Sequence, residues 1–126
     1  MKKIYYNKLI RDKIPEEIIA WGGESETIRL SKSEFEKELI KKVGEEASGL
    51  LAAKNKKELV AELADVVDVI EEILKVKNIS KKELAQEQKK NFDKKGGFAK
   101  KLFLVWSSNT GYKTNEKKGE VRIDKK

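Results

Sequence analysis

Along 58–74 (ELVAELADVVDVIEEIL) the apolar residues recur at helical spacing. On a wheel advancing about 100° per residue, Leu59, Val60, Leu63, Val66, Val67, Val69, Ile70, Ile73 and Leu74 cover one arc, wider than the usual stripe. The preceding stretch repeats the pattern with Phe35, Leu39, Ile40, Val43, Ala47, Leu50 and Leu51. Ser33 followed by Glu36, Asn55 by Glu58 and Ser80 by Glu83 are N-cap signatures. They predict helices from about 33 to 54, 55 to 77 and 80 to 94, the last stopped by Gly96-Gly97. The link between the first two is short, so they should pack antiparallel. Pro15 suits the first turn of a short helix to Trp21, which Gly22-Gly23 stops. Segment 26–30 (ETIRL) reads as a brief strand, pairing with the apolar segment 98–106 (FAKKLFLVW). Residues 107–126 are polar, with a hairpin predicted across 115–119. This divides the chain into a helical domain, 1–106, and a C-terminal extension, 107–126.

Both long helices set carboxylates where the pattern expects burial. Glu62 falls inside the second arc with Asp65 at its edge, whereas Asp68 and Glu72 fall on the opposite, wet side. Glu46 projects from inside the first arc and Glu45 from outside it. A lone buried carboxylate costs several kcal/mol unless paired or neutralised. Two solutions fit: the side chains snorkel or pair with lysines, or facing helices share a divalent cation.

Composition narrows the chemistry. The absence of Cys and His removes disulfides, thiolate sites, the commonest general base and the commonest transition-metal ligand. A metal here would be bound by oxygen, which favours Mg²⁺, with Mn²⁺ as the alternative. The 29 basic residues are interspersed with 22 acidic ones, so the net charge of +7 speaks for a salt-bridged helical surface rather than a nucleic-acid binder. That excess still suits a phosphate-bearing small molecule. Lys8, Arg11 and Lys13 are either surface charges or phosphate contacts. No run of 18 apolar residues and no apolar leader occurs, which predicts a cytoplasmic protein without a membrane partner. Trp21, Phe98 and Trp106 read as core residues before they read as base-stacking platforms.

Four segments in order, YNKLIRDKIPEEI at 6–18, KVGEEASG at 42–49, ELADVVDVI at 62–70 and KKGGFAKKLFL at 94–104, resemble the all-α nucleoside triphosphate pyrophosphohydrolases, the MazG-like and phosphoribosyl-ATP pyrophosphohydrolase-like superfamily. The resemblance implies an all-α fold, an antiparallel helical bundle completed by dimerisation or higher self-association. It also implies Mg²⁺-dependent cleavage of a nucleoside triphosphate between its α and β phosphates, releasing the monophosphate and pyrophosphate in a house-cleaning role. By the same resemblance Glu46, Glu62 and Asp65 match metal ligands, and Glu45 matches the neighbouring acidic position. Glu45 and Glu46 are then the catalytic carboxylates, with Glu45 orienting the attacking water or taking its proton. Lys8, Arg11, Lys13, Lys94 and Lys95 are the candidates for the phosphate tail.

One position departs from the family pattern Glu-Glu-x-x-Glu: Gly49 stands at its last Glu. Water can fill that coordination place, Glu45 can swing in, or metal affinity and catalysis are reduced. The alternatives therefore include phosphoribosyl-ATP as substrate, suggested by KVGEEA, and a catalytically weakened helical module that binds a nucleotide.

Overall fold

The computed structural model describes residues 2–110 and 119–123. Four helices form: α1 (Ile14–Ala20), α2 (Lys32–Ala52), α3 (Lys56–Val76) and α4 (Lys81–Lys95). The chain divides into two compact units, Met1–Lys90 and Asn91–Lys126.

The starts and stops follow local chemistry. Pro15 lies in the first turn of α1, and Gly22, at φ +84°, turns the chain away after it. The N-cap of α2 is Ser31, two residues before the predicted Ser33. Two overlapping Ser-x-x-Glu frames compete there, and the earlier one closes a reciprocal box: the Glu34 amide donates to Ser31 Oγ, and the Ser31 amide donates to Glu34 Oε1. The bond from Ser31 holds the Glu34 carboxyl below its ordinary pKa. Glu36 is thereby left free for another partner. At α3 the expected cap forms, with the Glu58 amide donating to Asn55 Oδ1 while Glu58 Oε2 accepts from the Lys54 amide. Asn78, at φ +55°, ends α3 in the left-handed region that Asn tolerates. Ser80 caps α4 by accepting from the Glu83 amide.

In the first unit α2 and α3 pack as an antiparallel hairpin. Glu36, early in α2, reaches Lys77 at the end of α3, while Gly49, late in α2, faces Glu62, early in α3. Among the described residues the buried side chains are Leu39 and Leu74, both at the end of the hairpin away from its turn. The rest of the apolar arc is half-buried or open. Leu59, Val60, Leu63 and Val67 on α3 and Ile40 on α2 stay exposed, so the arc is wider than its partner helix.

In the second unit Lys94 and Lys95 form the last turn of α4, and Gly96, at φ +79°, ends it. Gly97 sits against the Phe92 ring. No strand forms among the described residues, so the expected pairing of 26–30 with 98–106 is not realised. Lys101 takes φ +57° in the middle of the second segment, which interrupts an extended run, and a short strand without a ladder is not stable by itself. Trp21, Phe98 and Trp106 are exposed, against the expectation that they fill a core. The hairpin expected across 115–119 falls on residues that, apart from Gly119, lie outside the described ones. Among the described residues no helix is long and apolar enough to cross a membrane.

Candidate metal centre

The antiparallel hairpin brings three of the predicted carboxylates together. Glu46 comes from the middle of α2, and Glu62 and Asp65 come from successive turns of α3. Each offers an oxygen, and the three oxygens lie within 4.8 Å of one another on half-buried side chains. Like charges at that separation repel by about 1 kcal/mol per pair even at the dielectric of water. Such an arrangement needs positive charge nearby.

Two of the carboxylates have a cation of this chain. Lys42, four residues before Glu46, places Nζ 3.4 Å from Glu46 Oε1 and 3.6 Å from Glu45 Oε2. The same Nζ donates to the Leu9 carbonyl at 2.9 Å, and at 16% exposure it is well covered. Arg11 donates from Nη2 to Asp65 Oδ1 and to Asp68 Oδ2, each at 2.8 Å. The bonds to Asp68 first and Asp65 second raise the guanidinium pKa above its ordinary value. Glu62 differs: it makes no hydrogen bond or ion pair among the described residues. Of the two solutions open to the sequence, pairing with a cation of this chain is realised at Glu46 and Asp65, and Glu62 has no such partner among the described residues.

Gly49 explains how Glu62 reaches this place. A Cβ at position 49 would collide with Glu62 Oε2 and stand 3.0 Å from its Cδ. The glycine therefore leaves the notch into which the Glu62 carboxylate leans. Beside it an open cleft of about 300 Å³ is walled by Ala52, Ala53 and Ala61, with Glu58 and Glu62 as its polar groups. Glu45 lies outside the triad, 40% exposed, beside Lys42.

The other predicted residues separate by place. Lys8 is exposed and lies over the Tyr6 ring, 5.4 Å from its centroid. Lys13 is the exposed N-cap of α1. Arg11 is engaged with carboxylates, and Lys94 and Lys95 belong to the second unit. Sequence reasoning passed over Lys42 and Asp68. Lys42 was detectable as an i,i+4 partner of Glu46. Asp68, assigned to the wet side, is one turn from Asp65 and shares Arg11 with it, because the N-terminal segment crosses that flank of α3.

Three carboxylate oxygens without thiolate or imidazole are a hard donor set of the kind that would suit Mg²⁺ or Mn²⁺. Compared with known proteins, the chain matches no family model, no curated protein and no solved structure.

Proposed function

We propose that this protein is a Mg²⁺-dependent nucleoside triphosphate pyrophosphohydrolase related to the MazG-like and phosphoribosyl-ATP pyrophosphohydrolase-like enzymes. The observation that carries the reading is the convergence of Glu46, Glu62 and Asp65, with Glu62 lacking a compensating partner among the described residues. Those three side chains would hold the ion, which would supply Lewis-acid neutralisation of phosphate charge and activation of water. Glu45, exposed beside the triad, takes the proton of the attacking water. Water adds at the α phosphorus, the α–β bridging P–O bond breaks, and pyrophosphate leaves with the bridging oxygen. Lys42 keeps Glu45 and Glu46 oriented, and the basic N-terminal segment with Lys8, Arg11 and Lys13 receives the phosphate tail. A second copy of the chain covers the exposed face of α3.

The reading is tested by pyrophosphate release from a panel of ordinary and modified nucleoside triphosphates and phosphoribosyl-ATP, with and without Mg²⁺. Mg²⁺-dependent release should be lost by about a hundredfold or more in Glu46→Gln, Glu62→Gln and Asp65→Asn, since each removes transition-state charge stabilisation. Activity retained in all three variants would refute the assignment. Gly49 keeps a second reading open, a nucleotide-binding module with a weakened site; it predicts Mg²⁺-dependent nucleotide binding without pyrophosphate release.

A further inference from the structure

Arg11 stands with one contact inside the triad and one outside it. Its side chain is 60% exposed, yet Nη2 bonds both Asp65 Oδ1 and Asp68 Oδ2 at 2.8 Å. Nε and Nη1 make no hydrogen bond among the described residues. Asp65 belongs to the three converging carboxylates, and Asp68, one turn on, does not. A divalent cation among the three would contend with Arg11 for Asp65, because both bring positive charge to one carboxylate. Only that contact is contested; Asp68 can keep the guanidinium while Asp65 gives it up. Nor does the backbone depend on the contested bond, since Lys42 holds the Leu9 carbonyl at 2.9 Å independently.

We propose, resting on the divalent-cation reading above, that Arg11 is an exchangeable counter-cation. It covers Asp65 while the triad holds no divalent ion, retires to Asp68 when an ion takes Asp65, and then offers its free nitrogens to a polyphosphate. The ligand class follows from the donor: a planar guanidinium presents parallel N–H groups that match two phosphate oxygens. Asp68 is the positioning residue of this exchange, and it acts only through Arg11.

The exchange predicts opposite signs for two neighbouring substitutions. Mn²⁺ binding to the full chain is followed by loss of the free-ion electron paramagnetic resonance signal. Retention of Mn²⁺–tripolyphosphate is followed by equilibrium dialysis. Arg11→Ala should bind Mn²⁺ alone about two- to fivefold more tightly, because no exposed ion pair has to be given up. The same variant should hold Mn²⁺–tripolyphosphate about tenfold more weakly. Asp68→Asn should bind Mn²⁺ alone more weakly than the natural protein, because Arg11 then has nowhere else to go. Both replaced side chains are exposed, so helicity by circular dichroism should be unchanged.

A purely structural role would move both variants in the same direction, and that result overturns the exchange. Saturable Mn²⁺ binding that Arg11→Ala leaves unchanged or weakens also overturns it, while leaving the cation site standing. Tighter Mn²⁺ binding with unaltered tripolyphosphate retention removes the phosphate step. If the natural protein shows no saturable Mn²⁺ binding that Glu62→Gln weakens, the cation site itself fails and the exchange fails with it.

Discussion

Gly49 shows how one missing side chain sets the position of another. In a helix interior glycine costs roughly 0.5–1 kcal/mol relative to alanine. What it provides here is the space that the Glu62 carboxylate enters. Gly49→Ala therefore sets two effects against each other. The atoms it meets are the far end of a flexible side chain, which can yield, so thermal unfolding should show a gain of up to about 1 kcal/mol. The displaced Glu62 should in turn weaken Mn²⁺ binding. A loss of stability instead would show that Glu62 is held in its notch. Sequence alone identified Glu46, Glu62 and Asp65 because burial conflicts with charge at those positions. It did not reveal that Glu62 fills the place left by Gly49, since that contact joins two helices and depends on a rotamer.

Between elements, the hairpin is tied at its open end by Glu36 and Lys77, 2.8 Å apart, beside the two buried leucines. Lys77 holds the Glu36 carboxyl below its ordinary value of 4.5, chiefly by its hydrogen bond. A lowered folded-state pKa contributes stability that is present above the unfolded value and disappears as pH falls through the folded one. Denaturant unfolding of the natural protein and Glu36→Gln should thus differ at neutral pH and converge below pH 4.5. A gap that persists at low pH would show that the contact acts through packing rather than charge. Helix identity and direction were legible at this scale because apolar spacing, cap residues and a short link all agree. The α2 boundary was not, since two capping frames overlap and only the bonds actually formed choose between them. The strands failed for a related reason: β-branched composition marks a segment that suits a sheet, but it cannot supply the partner.

At the scale of the whole molecule, the first unit lacks enough of its own surface to cover the apolar residues of α3. Val60, Leu63 and Val67 share one face and are each about half exposed. An uncovered apolar stripe of this kind marks an interaction surface. Light scattering should give a mass near twice 14.4 kDa, and Leu63→Asp should return it to one chain with helicity retained. A monomeric natural protein would exclude a second copy as the cover. The wide arc was visible in the sequence, but which part of it faces the chain's own helices was not, because periodicity fixes the angle of a residue and not the identity of its neighbour.

The link at 53–55 between α2 and α3 has a consequence for the order of events in folding. Closing so small a loop costs little chain entropy, and contacts close in sequence form fast. All three converging carboxylates belong to that one hairpin. Their mutual repulsion therefore arises at the start of folding, as soon as the helices meet. Only the contact from Arg11, 54 residues from Asp65, must await the return of the N-terminal segment. Until then Lys42 covers Glu46 from within the hairpin while Asp65 waits for its cation, and the ionic composition around the hairpin acts on its assembly before there is a finished protein to serve.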